Sequence, residues 1–438
     1  MTFERTRFSL LRGLIASTLA TALAVPLATS SAFAAEEQFE EIIVTALGRE
    51  TTLEESPAAV TVVTQDTIER KGIERVEDFV ALVPGMSVVN TAEVADTQVN
   101  IRGLNGARDG EINYALVVDG VVMTDRSALN REWNNASQIE VLKGPQSALY
   151  GRSAAAGAIV ITTKKPQSPF EADVKATAGE NSAYLLNGRV GGQVNDQWGW
   201  QVSGTYRDTD GFYEDDFNND DDVIDNFESW SIDGRLLWDP TDDLSFDLKT
   251  RYGEVDAGSI MFNSIFHLPE FAAFLGIPSF AEDINGHDYR FYPNVESSND
   301  QDALEISLRV DYDLGWADLI GWGLYSDIDN SLGADGTSGA FGFFWGDPDC
   351  VASTAANTGF PTNPPTYIGA DPVFPNSLFG AYTPTTCDGT QYQERNQEDY
   401  SFEVRLRSKD DQRLRWEAGF YYLNIDREVG VNLGIDRG

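Results

Sequence analysis

The sequence predicts a transmembrane antiparallel β-barrel with an N-terminal mixed α/β domain, on three observations. The N-terminus carries an export leader, and no later apolar run reaches 18 residues. Any part that crosses a membrane must then do so as strands, because only helices and closed barrels satisfy their backbone in lipid. From about residue 170 the chain breaks into segments of about ten residues, apolar on one side and charged on the other, which is the pattern of barrel strands. Between residues 57 and 166, β-branched runs alternate with short helix-like stretches and with Pro-Gly or Gly-Pro turns.

The elements follow in order. Arg5, Arg7 and Arg12 precede an apolar stretch from Leu14 to Leu27, and Ala32-Phe33-Ala34 supplies a cleavage signal. Residues 1–34 therefore read as a secretory signal peptide. The apolar core is about 14 residues against the roughly 20 a spanning helix needs; an N-terminal membrane anchor is the alternative. Residues 35–56 read as a flexible acidic segment holding Ile42-Ile43-Val44-Thr45-Ala46, whose β-propensity predicts an extended strand. In the 57–166 domain the spacing predicts a strand over Ala59–Val63 and a helix over Asp66–Lys71 capped by Thr64 or Asp66. A second helix over Val76–Leu82 ends at Pro84-Gly85. Strands are predicted over Met86–Asn90, Val99–Gly103, Ala115–Val121, Ile139–Leu142 and Ile159–Thr163.

Residues 170–438 predict about nine barrel strands. Leu244–Tyr252 sets Leu, Phe, Leu, Thr and Tyr against Ser245, Asp247, Lys249 and Arg251. Leu304–Tyr312 and Tyr400–Ser408 repeat the pattern, the latter opposing Phe402, Val404 and Leu406 to Glu403, Arg405 and Arg407. Aromatic ends such as Trp230 and Trp238 suit a membrane interface. Links at Asn195–Gln197, Asp239–Asp243 and Lys409–Gln412 are short, whereas those near 208–228, 253–301 and 327–397 are long. A soluble sandwich would also alternate, but the leader and the loop asymmetry favour a barrel.

A formal net charge of −39 excludes a nucleic-acid partner. Disorder is disfavoured by 42% hydrophobic and 11% aromatic residues. Cys350 and Cys387 stand alone in an exported chain, within one long loop; a disulfide is the natural reading, two free thiols the alternative. Such a bond would stabilise that loop by about 3–4 kcal/mol in the chain-entropy model. No catalytic constellation or metal set emerges, and no cofactor is expected. His267 and His287, the two histidines, lack ligand-spaced partners. Asp208–Glu228 is acidic without the spacing of an EF-hand, so it reads as a solvated face, with weak divalent-cation binding as the minority reading. Gly144–Ser153 lacks the lysine spacing of a phosphate loop.

Residues 139–166, IEVLKGPQSALYGRSAAAGAIVITTKKP, resemble the end of the plug domain of TonB-dependent outer-membrane receptors. That family's pattern is close to IEVLRGPxSxLYGxxAxGGxIxIxTK; Lys143 and Ala156 depart from it. Earlier motifs appear in the same order over about 130 residues: the strand leading into Asp66, the helix before Pro84-Gly85, Asn100-Ile101-Arg102-Gly103, and Leu116–Val121 around Asp119-Gly120. The resemblance implies an iron-siderophore type receptor in the outer membrane of a Gram-negative bacterium. It implies a plug at 57–166 inside a 22-stranded barrel, so nine strands read as the N-terminal part of a longer receptor. Glu41, Ile42, Ile43, Val44, Thr45 and Ala46 match the TonB box, which would add as a strand to the energy-transducing protein TonB in the periplasm. Arg102, Gly103, Asp119, Gly120, Gly144, Pro145, Tyr150, Gly151 and Arg152 match plug motifs. Arg102 and Arg152 would pair with a barrel glutamate, for which Glu403 is the candidate; Leu104, Asn105 and Arg108 lie in the candidate ligand loop. The implied function is active import of a scarce small-molecule ligand, a ferric siderophore first, with cobalamin or an oligosaccharide, or a passive pore or adhesin, as alternatives. Outer-membrane lipid is the remaining partner.

Overall fold

The computed structural model describes residues 43–45, 51–54, 56, 58–90, 97–106, 110–213, 224–259, 268–276, 281, 285, 297–335 and 389–435. The leader, Glu41, Ile42, Ala46, Arg108, both histidines, both cysteines and the Asp220–Asp222 run lie outside the described residues.

The N-terminal part is built on a five-stranded mixed sheet. A two-residue strand, β1 (Ile43–Val44), pairs with β2 (Thr51–Thr52). Then come β3 (Val60–Thr64), helix α1 (Gln65–Lys71) and helix α2 (Val76–Val80). Thr64 caps α1 by accepting from the Thr67 amide at 3.4 Å, and Gly72 ends it with a left-handed φ of 63°. A two-stranded arm, β4 (Met86–Asn90) and β5 (Thr97–Ile101), follows. β6 (Tyr114–Val118), β7 (Val121–Val122), β8 (Ala136–Lys143), helix α3 (Ser147–Tyr150) and β9 (Gly157–Thr163) complete the domain. The sheet order is β3-β8-β9-β6-β7, with β6 and β9 parallel. β6 and β9 are buried along nearly their whole length, as befits central strands read as continuous apolar runs.

One strand expected over Ala115–Val121 is instead a hairpin. Asp119 (φ 50°) and Gly120 (φ 84°) both adopt left-handed backbone, so Val118 pairs with Val121 across a two-residue turn. Asp-Gly is the dipeptide that favours such a turn, and it projects Asp119 out of the sheet.

Among the described residues that follow, nine strands form one antiparallel meander in sequence order. These are β10 (Glu171–Ala178), β11 (Tyr184–Asn195), β12 (Trp198–Thr209), β13 (Phe227–Thr241), β14 (Leu244–Ala257), β15 (Ser298–Asp313), β16 (Ala317–Asp335), β17 (Gly389–Ser408) and β18 (Glu417–Ile435). Helix α4 (Pro269–Leu275) lies between β14 and β15. Strands reach 20 residues rather than about ten, so they invade the regions expected to be loops: β14 runs on to Ala257, and β17 begins at Gly389. The apolar stretch that betrays a barrel strand covers only the part in lipid, and the polar continuation carries no such signal.

Side chains alternate as expected. Ile306, Leu308, Phe402 and Val404 face outward and are exposed, whereas Arg235, Glu305 and Glu403 face inward and are buried. Trp198 stacks on Trp238 with centroids 5.2 Å apart, and Trp238 on Phe246 at 5.0 Å, forming a girdle near the short turns. Trp230 and Tyr252, 5.5 Å apart, belong to a second girdle eight residues along β13. Eight residues measure about 26 Å along a strand and about 20 Å across a bilayer at a tilt of about 40°, close to the apolar height of outer-membrane barrels. Beyond the second girdle the outward side chains turn acidic: Glu254, Asp302 and Asp329 are cross-strand neighbours, as are Asp256 and Asp300. On the inner side, Trp322 and Leu324 of β16 join the core of the N-terminal domain.

Candidate functional site

Two places bring functional candidates together: the strap formed by residues 43–45, and the contact between the N-terminal domain and the barrel wall.

The strap is gripped by β8. Gln138 donates from Nε2 to the Ile43 carbonyl at 2.9 Å. The Thr45 amide donates to both oxygens of Glu140, at 3.1 and 3.0 Å, and the Thr45 hydroxyl donates to Oε1 at 2.8 Å. Gln138 also donates to Glu140 at 2.9 Å. Val44 is fully buried in the core, while Ile43 is exposed. Residues 43–45, within the segment expected to be flexible, are thus held down. Glu140 itself is inaccessible to solvent, between Val62 of β3 and Val160 of β9. Tyr150 lies close by: burial, and then the negative charge of Glu140, push its hydroxyl well above the usual tyrosine range.

The Asp119-Gly120 turn plugs into a basic socket. Asp119 accepts from the Thr163 amide at 2.9 Å and the Thr163 hydroxyl at 2.6 Å, which fixes its carboxylate. Lys249 of β14 contacts that carboxylate, and Arg235 of β13 approaches to 3.9 Å. Arg309 of β15 donates from Nη1 to the Asp119 carbonyl at 3.2 Å. At Gly120 a Cβ would run into the Arg309 guanidinium, on a backbone that already disfavours one. Arg235 also donates to the Thr163 hydroxyl at 3.0 Å and the Lys164 carbonyl at 3.1 Å. Lys249 and Arg309 sit on the polar face legible in the sequence, and Arg235 was not singled out there; the contact with the turn is not legible, because it depends on how the domain seats.

The expected pairing of Arg102 or Arg152 with Glu403 is not formed. Glu403 accepts from Trp322 Nε1 at 3.0 Å and from both Nε and Nη2 of Arg405. Arg405 in turn donates to the Leu149 carbonyl of α3 at 3.2 Å. Glu403 therefore aims a barrel arginine at the domain instead of receiving one from it, because residues two apart on one strand share a face and reach each other first. Arg152 pairs with Glu111 at 2.6 Å, and Glu111 also binds Arg427 of β18. Burial alone would push the Glu111 carboxyl up, but Arg427 and Arg152 together hold it below the usual carboxylate range. Arg102 is exposed, with a φ of 52°, its amide donating to the Gly85 carbonyl at 2.8 Å. Its guanidinium lies over Gly144, whose φ of 111° needs glycine. Gly103 donates to Asn100 at 2.9 Å, and Gly151 closes α3; Pro145, Leu104 and Asn105 are exposed.

Further contacts escaped the sequence reading. Glu132 meets Arg207 at 3.4 Å, Glu74 meets Lys175, and Arg131 meets Glu305 while lying 4.5 Å from the Trp133 ring. Burial pushes the Glu132 carboxyl up, in spite of Arg75 and Arg207. In most of these bridges the carboxylate belongs to the N-terminal domain and the cation to the barrel, the reverse of the expected polarity. A cavity of about 80 Å³ with a mixed lining lies beside them, bounded by Met123, Trp133, Arg235, Lys249 and Glu305; it has room for several waters. Among the described residues no group of three His, Cys, Asp or Glu is placed to hold a metal ion.

Comparison with known proteins agrees with this arrangement. Residues 52–158 match the TonB-dependent Receptor Plug Domain. The chain is 31% identical over 208 residues to the iron-regulated outer membrane virulence protein of Vibrio cholerae, covering 42% of this chain and 30% of that one. It is 26% identical over 216 residues to the vitamin B12 transporter BtuB of Photobacterium profundum, covering 48% and 35%. The crystal structure of the ferric yersiniabactin uptake receptor FyuA from Yersinia pestis has the same fold, with a TM-score of 0.64 at 16% identity over 86% of this chain and 50% of that one. The chain thus spans about a third of the length of these curated relatives and half of the solved one.

Proposed function

We propose that this chain, which belongs to the TonB-dependent receptors of the Gram-negative outer membrane, serves the active import of a scarce small ligand, a ferric siderophore, gated by the plug. The observation that carries this reading is mechanical. The strap at Ile43–Thr45 is bonded to β8, a central strand of the plug sheet, and that sheet is bonded to the inner wall of the barrel. Traction on the strap therefore reaches the stopper directly. An outer membrane holds neither ATP nor a lasting ion gradient, so uptake against a gradient needs work delivered through such a linkage. In this reading the segment including Glu41, Ile42, Ile43, Val44, Thr45 and Ala46 is the TonB box, and it adds as a strand to TonB. Leu104 and Asn105, both exposed, are the candidate ligand contacts, and Arg108 follows them in the same stretch of sequence.

Relatives named for iron regulation and for ferric yersiniabactin support the iron chelate, and the vitamin B12 relative makes cobalamin the comparison ligand. The test is uptake of labelled ferric siderophores and cobalamin by a deletion strain carrying the receptor, with and without functional TonB. Energy-dependent accumulation of a ferric siderophore that vanishes without TonB is expected. Equal uptake in both backgrounds would mean a passive pore, and accumulation of cobalamin alone would replace the ligand class.

A further inference from the structure

The strap is extended, so the main-chain groups of residues 43 and 45 point to one edge and those of Val44 to the other. One edge pairs with β2, Ile43 opposite Thr52 and Val44 opposite Thr51. The other is occupied by two side chains of β8 in place of a strand: Gln138 donates to the Ile43 carbonyl and Glu140 accepts from the Thr45 amide. Those two residues are two apart on β8, so they share a face and repeat at the spacing of the strap's own groups. They imitate the ladder that an incoming strand would make.

We propose that Glu140 is a latch: its carboxylate, with Gln138, withholds the strap from any partner sheet until the bonds to Thr45 are broken. The placement of Glu140 is what calls for a function. It is a carboxylate at 0% exposure amid valines of a plug core. A buried carboxylate is tolerated only when its oxygens are hydrogen-bonded. Here the strap supplies three of its bonds, through one amide and one hydroxyl of a single residue. Removing Thr45 strips these three together, and re-docking is favoured whenever traction stops. Glu140 acts through the strap and so is a positioning residue. Its role as a gate on partner binding rests on the reading of the strap as the TonB-contacting segment.

Hydrogen–deuterium exchange of the full-length protein tests the latch without any partner. Thr45→Val removes the hydroxyl donor without touching the plug core, and Glu140→Gln weakens the acceptor while keeping its shape. Each should speed exchange across residues 43–53 by about tenfold, with β6 and β9 unchanged. Thr45→Ser, which keeps the donor, should exchange like the parent. Binding of a purified periplasmic TonB domain should rise in step with exchange in the first two variants. Exchange in the strap that is the same in parent, Thr45→Val and Glu140→Gln proteins would overturn the latch while leaving the TonB reading intact. Faster exchange with no TonB binding to any variant would instead sink the TonB reading, and the gating role with it.

Discussion

Asp119 and Glu140 are both buried carboxylates of the plug, and they hold on in different ways. Asp119 is met by cations fixed in the barrel wall, Lys249 and Arg235, and its carbonyl is capped by Arg309. Glu140 is met by an amide and a hydroxyl of a three-residue strap. Separating the first contact leaves buried charges facing one another's absence, which costs several kcal/mol. Separating the second costs a few hydrogen bonds, each worth about 1–3 kcal/mol when one partner is charged. The same residue class thus makes an anchor at the edge hairpin of the plug sheet and a tie to a short strap on an inner strand. The difference lies in whether the partner is a side chain on a rigid strand or the backbone of a short segment.

Removing the anchor should have the largest effect. Asp119→Ala takes from Lys249 its contacting carboxylate, while Arg235 keeps Asp247 at 2.5 Å, and should loosen the seated plug by about 3–5 kcal/mol. Protease sensitivity of the plug and leakage of a large antibiotic would both rise. Leakage equal to the parent's would show that the two contacts are of one kind. Gly120→Ala should follow, by about 1–3 kcal/mol, since it strains the backbone and strikes Arg309. Adding Arg309→Ala should recover only the part due to the collision, as read by thermal unfolding.

Next comes the question of which charges bridge plug and wall. A double-mutant cycle on Glu403 and Arg152 should give a coupling within about 0.5 kcal/mol of zero, because neither hydrogen-bonds nor ion-pairs with the other. The Glu111–Arg427 cycle should give a larger one. Strong coupling of Glu403 to Arg152 would restore the pairing first expected from the motifs. The smallest effect is one of acidity. Glu111 is held below its ordinary value of 4.5, so its bridge contributes above that pH and is lost as the pH falls through the lower folded-state value. Cross-linking between positions 111 and 427 should therefore be constant near neutrality and decline only in strong acid.

Much of the fold was legible because lipid writes a strong pattern. Leu304–Tyr312 and Tyr400–Ser408 alternate so regularly that the inner and outer faces could be assigned residue by residue, and Lys249, Arg309 and Glu403 were placed on the polar side. The plug was legible through motifs, including Thr64 as a helix cap. What could not be read was pairing across the interface. Glu403 has Arg405 two residues away on its own face, a local competitor that motif matching ignores. The Asp-Gly signal at 119–120 was read as part of a strand, although its left-handed preference marks a hairpin. Glu140 passed as one letter of a motif, since nothing in the sequence says that a distant Thr45 folds back onto it.

The lengths of β16, β17 and β18, at 19, 20 and 19 residues, have a geometric consequence. At about 3.3 Å per residue and a tilt of about 40°, such strands climb about 50 Å, twice the apolar height of a bilayer of this kind. The surplus rises on the side away from the short turns, as a palisade standing in water. Its outer surface bears Asp300, Asp302 and Asp329, as a wall bathed by solvent should. Side chains on that palisade therefore meet water on a surface that lipid never covers, and its acidity needs no partner to be tolerated.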